Sequence, residues 1–526
     1  MNGEFDRVLV ANPLPWERTI SGPVSKYAVE PRGRGDDDLS ARHWQDRSFN
    51  DDTYLLPPTD VPGYGYAVVR TEDLTPNEGW PFDERRVVET DAYRITFDRE
   101  RGGIAGWWDE RLGCEWADEA SDYPLAGVVR ERLADPSGDA PRDRLFRAPP
   151  AGEDNPDGLW NAAPDLVEAE AGADDPWESP TWGYQRDWHA ERYGPERVLS
   201  HRVYRTPHGY DVRQRLAVEG LDSAVDLRVT VPHEGAEVVV EATWEESRDT
   251  RPASTYLAFP FDLPEPRAHV DVGGQAMRPG ADQFPGSCRD YFTAQRWVEL
   301  SNEHRGVTVG CPLNPMVQFG GFRFGEHSRE FSLDRALLLG WVSTNYYNTN
   351  FRAHQPGRVR ARYHLRPHEG AFDESRAHTV GAAAEHATPL VQPVAESGAA
   401  PTLPERGRVL NLPEPPVLVP FVRPSRAAGI GDASIDGAGG TAGGVTDGAN
   451  PAAGADELDV GLLNASDEPR TATVAPGVFG VASARTVGQL GEDDRGRSLE
   501  MSDGAVEVEL APRELRVVRL SAEVSR

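Results

Sequence analysis

The sequence predicts an all-β protein, on three observations. Glycine (52) and proline (44) punctuate the 526 residues about every ten positions. Several short runs alternate apolar and polar residues with a period of two, and no amphipathic helical run exceeds three turns.

Taken in chain order, residues 1–26 read as strands, and the acidic, Arg-rich stretch 31–60 reads as a long surface loop. Tyr93, Ile95 and Phe97 alternate as a strand, and Gly102-Gly103 turns the chain into a second strand over Ile104–Trp108. Val225, Leu227, Val229 and Val231 alternate with Asp226, Arg228 and Thr230, then Glu234-Gly235 turns into Val238–Val240. That pattern predicts an antiparallel hairpin with one wet face. Near the end, Val506, Val508 and Leu510 alternate with Glu507 and Glu509, and 515–520 is expected to pair back after Pro512. Composition places boundaries near 80 and 386. An N-terminal β-segment with its acidic loop spans 1–80, and the densest strand pattern fills 81–386, with a loop insertion at about 134–180. A Pro-rich linker and a small β-domain follow over 387–526. Residues 427–456 are too poor in apolar side chains to order themselves and read as a disordered loop.

The formal net charge is -31, spread along the chain, and Lys26 is the only lysine. Such a surface suits concentrated salt, where screening removes self-repulsion, and a salt-adapted (halophilic) protein is expected. The same acidity argues against nucleic acid as a partner. No apolar run is long enough to span a membrane, no signal peptide is legible, and Cys114, Cys288 and Cys311 are too scattered for a disulfide framework. A cytoplasmic location is expected.

The most informative segments are DQFPGSCRDYFTAQRW (282–297) and WVSTNYYNTNFRAHQPG (341–357). They interleave Tyr291, Phe292, Trp297, Trp341, Tyr346, Tyr347 and Phe351 with Asp290, Gln295, Asn345, Asn348, Asn350 and Gln355. Sugar recognition needs both kinds of group: rings stack on the C–H face of a pyranose, while amides and carboxylates bond its hydroxyls. The expected carbohydrate-binding set is Asp290, Tyr291, Gln295, Trp297, Asn345, Tyr346 and Asn350. By composition alone, core packing of these aromatics is the commoner outcome.

Four segments, in order, resemble the region downstream of the catalytic domain in glycoside hydrolase family 38, the α-mannosidase-like family. They are VLVANPLPWERT, YRITFDRERGGIAGWWDERLGCEW, DQFPGSCRDYFTAQRWVELSNEHRGVTV and STNYYNTNFRAHQPGRVRARYHLRPHEGAFD. The resemblance implies a large galactose-mutarotase-like β-supersandwich flanked by smaller β-sandwich domains, and a mannoside-type glycan as ligand. It also implies that the nucleophile, the acid and a zinc ion belong to a β/α-barrel preceding this region. A separate catalytic barrel chain is then the expected partner, with no cofactor in this chain.

Other chemistry is poorly supported. With 86 acidic residues, carboxylate pairs at glycosidase spacing carry no signal; Asp290 is the best placed, ahead of Asp282 and Asp373, but each reads first as a turn or salt-bridge residue. His364 and His368 have i, i+4 spacing, but Pro367 and a strand-like run argue against a helical zinc site. His304 and His354 stand alone in sequence, and no G-x-S-x-G, P-loop or dinucleotide fingerprint occurs. Three readings stay open: a mannosidase portion acting with a separate barrel, a stand-alone sugar-binding or aldose-epimerase-like protein, and a structural β-protein.

Overall fold

The computed structural model describes residues 7–25, 53–77, 80–134, 189–249, 253–323, 328, 330–345, 354–394, 403–425, 457–490 and 496–523. Almost everything in it is strand, and the contacts divide the chain into two units: Gly79–Glu385, and Met1–Glu78 with His386–Arg526. The N- and C-terminal β-segments thus fall in one unit.

In the unit Gly79–Glu385, a six-stranded antiparallel sheet faces a ten-stranded one across a single large core. The six-stranded sheet runs in the order His189–Tyr193, Gly127–Ala134, Ala253–Pro260, Leu337–Thr344, Met316–Phe319, Phe292–Thr293. The centre of the ten-stranded sheet is made by Arg305–Gly310, Gly357–Glu369, Val238–Glu246, Val225–Pro232 and Gly209–Val218. Alternation decides the faces. Val225, Leu227, Val229 and Val231 point inward and are buried, as are Leu257, Phe259 and Leu338 opposite them. The hairpin read from the sequence forms with Val229 opposite Val240. Tyr93–Phe97 and Ile104–Asp109 also pair as read, in a small four-stranded sheet whose Ile95, Phe97 and Trp107 join the same core.

The helix Glu374–Glu385 escapes the sequence pattern. Its inner stripe is Ala377, His378, Val380, Gly381 and Ala384, small and weakly apolar, so no amphipathic signal arises. Asp373 caps it, accepting the Arg376 N–H at 2.7 Å. The small residues let it lie close on the outer face of the ten-stranded sheet: a Cβ at Gly381 would come 2.6 Å from the Trp297 ring, and one at Gly310 2.5 Å from Ala384 Cβ.

In the other unit, Arg7–Asn12 pairs with Leu390–Val394 and Gly65–Arg70, and Arg18–Ser25 with Thr53–Val61. The last pairing corrects the loop expected over 31–60, because its end, from Thr53, is strand. A two-sheet sandwich follows around Leu410, Val460, Leu462, Val474, Val508 and Leu520. Ala505–Leu510 and Leu515–Glu523 do not pair with each other; they lie in different sheets, beside Arg470–Pro476 and Glu457–Asn464 respectively. The loop expected at 427–456, and nearly all of that at 134–180, lies outside the described residues.

Candidate functional site

The face of the six-stranded sheet turned away from the main core carries a second cluster: Val129, Tyr256, Ala258, Leu337, Leu339 and Trp341, with Tyr123, Tyr291, Met316 and Phe322 packed on it. Register places them. Val129 is opposite Tyr256, Tyr256 opposite Trp341, and Gln318 opposite Leu339. A bulge between Thr255 and Tyr256 shifts the ladder and brings the two rings level.

Five rings form a lane across this face. Tyr123 meets Phe322 edge-on at 5.8 Å, and Phe322 meets Tyr256 edge-on at 5.0 Å. Tyr256 stacks on Trp341 at 5.9 Å with 17° between planes, and Trp341 meets Tyr291 edge-on at 5.5 Å. Such geometries suit the aromatic quadrupole. Tyr256 and Trp341 form the buried floor, whereas Tyr123, Phe322 and Tyr291 remain half-exposed. Partial burial pushes the Tyr123 hydroxyl pKa up.

A polar chain runs through the floor. Arg192 Nε donates to Glu131 Oε2 at 2.6 Å, the Tyr256 hydroxyl to Glu131 Oε1 at 3.4 Å, and Gln318 Nε2 to that hydroxyl at 3.3 Å. The Arg323 N–H donates to Gln318 Oε1 at 2.6 Å, and Trp341 Nε1 to Ser254 Oγ at 2.9 Å. Arg192 also covers the Phe322 ring at 4.2 Å. Buried groups joined in this way fix their rotamers and hold the rings packed above them in place.

Of the residues expected from sequence, Tyr291 and the Trp341 of the same segments sit in this lane. Asp290 precedes Tyr291 and is buried, accepting the Ser328 N–H at 2.9 Å. Asn345 closes the end of the strand Leu337–Thr344, accepting the Ala253 N–H at 2.8 Å and donating to the Asp249 carbonyl at 3.1 Å. Gln295 is exposed. Trp297 requires a correction. It has no exposed surface, lies on the ten-stranded sheet beneath the helix, and donates to His378 Nδ1 at 3.1 Å. A ring sealed under a helix cannot stack on a sugar. Tyr346 and Asn350 lie outside the described residues. Glu131, Ser254, Tyr256 and Gln318 were not expected. Only Gln318 carries a local signal, a single polar side chain inside the otherwise apolar strand MVQF.

Asp282, His364 and His368 have structural partners. Asp282 forms a two-pronged pair with Arg278, His364 bonds Glu237 at 2.9 Å, and His368 bonds Glu299 at 3.2 Å. Among the described residues no group of three or more His, Cys, Asp or Glu could hold a metal ion. The zinc implied by the family resemblance therefore finds no donor set in them, and no step is assigned to it. Among the same residues no helix is long and apolar enough to cross a membrane.

A β-sandwich with an aromatic, polar-floored outer face is the class these observations define. No family model and no curated protein matches the sequence. Among solved structures, the chain is similar to a protein in the glycosyl hydrolase family 38 from Enterococcus faecalis, with TM-score 0.54 and 10% identity over 98% of this chain and 58% of that one. It is also similar to an alpha-mannosidase from Enterococcus faecalis V583, with TM-score 0.52 and 10% identity over 98% of this chain and 51% of that one. The protein thus has a fold like that of family-38 glycoside hydrolases and spans just over half the length of these two structures. A putative aldose 1-epimerase from Escherichia coli covers 55% of the chain at TM-score 0.29, a level that carries no functional weight.

Proposed function

We propose that this chain is the carbohydrate-binding, substrate-side portion of a family-38-like glycoside hydrolase. In this reading the outer face of the six-stranded sheet meets a mannoside-type glycan, and a catalytic β/α-barrel of the kind the family resemblance implies supplies the chemistry. The observation that carries the reading is the lane of five rings above the buried Glu131–Tyr256–Gln318 chain. Half-exposed rings give the apolar face of a sugar somewhere to stack, and the buried polar chain beneath holds those rings in place.

The test compares two aromatic truncations in calorimetric titrations with an α-mannobiose. Tyr291→Ala removes a half-exposed ring and should weaken binding by about 1–3 kcal/mol, taking base–aromatic stacking as the scale, while Tm changes little. Trp297→Ala removes a ring with no exposed surface and should cost about 3–5 kcal/mol of folding stability. If Tyr291→Ala lowers Tm as Trp297→Ala does and leaves mannobiose binding intact, the lane is core and the proposal falls.

A further inference from the structure

The outer face of the ten-stranded sheet carries a different chemistry. Arg202 is opposite Arg213, Arg213 opposite Arg228, Arg228 opposite Glu241, and Glu241 opposite Arg362. Four arginines and one glutamate thus stand in one row across five strands, about 4.8 Å from strand to strand. Like charges placed directly opposite destabilise a sheet, so such a row needs compensating anions. Two buried carboxylates supply part of this. Asp211 takes Arg213 at 2.8 Å and Arg228 at 2.7 Å. Glu241 takes Arg228 at 3.5 Å, Arg360 at 3.0 Å and Arg362 at 2.6 Å. Four guanidiniums share two carboxylates, and Arg202, in the same row, shares neither, in a chain whose overall charge is -31.

The imbalance reaches the surface at the edge formed by Phe82–Asp83 and Pro195–Thr206, whose own Asp83 is paired with Arg85. There Arg202 is exposed and has no carboxylate partner among the described residues. Its guanidinium lies 4.9 Å from the Phe82 ring centre, and that of Arg213 lies 4.7 Å from the Tyr204 ring centre. Phe82 and Tyr204 are opposite each other in register, 5.3 Å apart, and Phe82 is 51% exposed. The edge therefore presents apolar ring surface beside guanidinium forks held in place by those rings.

We infer that this edge is a second binding site, for a glycan whose sugar carries a carboxylate or sulfate group. Phe82 and Tyr204 receive the apolar face of the ring, and Arg202 with Arg213 takes its oxyanion. A nucleic acid fits less well. Its continuous phosphate charge meets the acidic surface beyond the row, whereas an isolated acid group feels only the local field within a screening length of about 8 Å.

The full chain is titrated with trigalacturonate, with neutral galactotriose and with sulfated galactotriose, at about 0.15 M and about 1 M salt, with folding monitored at both. At least one acidic trisaccharide should bind more tightly than the neutral one, and binding should weaken with salt. Whichever acid binds better identifies the oxyanion. Phe82→Ala and Arg202→Gln should each lower affinity about fivefold or more, the low end of an aromatic stack, with Tm unchanged. Arg202→Lys, which keeps charge but loses the fork, should recover only part. Tyr291→Ala should leave this binding intact, which separates it from the mannoside face. Equal binding of acidic and neutral sugars overturns the inference, as does indifference to both Phe82→Ala and Arg202→Gln. Tighter binding of hexaglutamate or a DNA oligonucleotide at this edge overturns its assignment to a glycan.

Discussion

Glu241→Gln tests whether the arginine row is held by charge. Glu241 is buried in the strand Val238–Glu246 and receives three guanidiniums. Burial would raise its carboxyl pKa, but Arg362, Arg228 and Arg360 outweigh burial and hold it at about 2 against the ordinary 4.5. A depressed carboxyl stabilises the folded state when ionised. Its contribution is complete above about pH 5 and is lost as pH falls toward 2, and the difference amounts to roughly 3 kcal/mol. Glu241→Gln preserves shape but leaves buried arginines without their anion, which should cost about 3–5 kcal/mol at pH 7. Urea unfolding followed by circular dichroism, at constant ionic strength from pH 7 down to about 2.5, should show this gap shrinking by about 2 kcal/mol or more. The variant lacks the titrating group, so subtracting the two curves removes contributions shared by other carboxylates. A gap that stays constant or widens as pH falls refutes the electrostatic account.

Three further outcomes are expected. Tm should rise steeply between about 0.1 M and molar KCl, because the screening length falls from about 10 to about 3 Å; a flat profile removes the salt-adaptation reading of the -31 charge. Gly381→Ala gains about 1 kcal/mol of helix propensity but drives a methyl to 2.6 Å from the Trp297 ring. Overpacking of about 1–3 kcal/mol should win, and a raised Tm would show that the helix can lift. The purified chain should not turn over an aryl α-mannoside; turnover abolished by a single Asp or His substitution in this chain would place the chemistry here.

Much of the fold was legible because one-sided alternation fixes a strand's faces. Val225–Pro232 has a charged outer face and a buried inner one, and its hairpin partner follows the turn at Glu234-Gly235. Alternation says nothing about which strand lies alongside. Ala505–Leu510 alternates cleanly and Leu515–Glu523 follows it in sequence, yet the two join different sheets. The helix Glu374–Glu385 was illegible for another reason: its buried stripe is mostly small, with one histidine and a single valine, and lies close against Gly310 and Trp297, so hydrophobicity does not mark it.

The proposed binding face was half legible, and the missing half has a physical cause. Tyr291 and Trp341 lie in segments where rings and amides crowd together, whereas Glu131, Tyr256 and Gln318 are spread over three strands and meet only through register. Trp297 shares Tyr291's segment and the same mixture of neighbours, yet the two belong to different sheets. Between them, Phe292–Thr293 ends the six-stranded sheet and Trp297–Ser301 enters the ten-stranded one, so the chain crosses the core within four residues. Strand periodicity correctly turns Trp297 away from its inward neighbour Val298, and for an uncovered sheet that would mean exposure. Here the helix covers that face, and a position that alternation marks as outer becomes a second core. A polar–aromatic segment is therefore informative about a binding face only once the covering of each sheet face is known, and that covering depends on residues some eighty positions downstream.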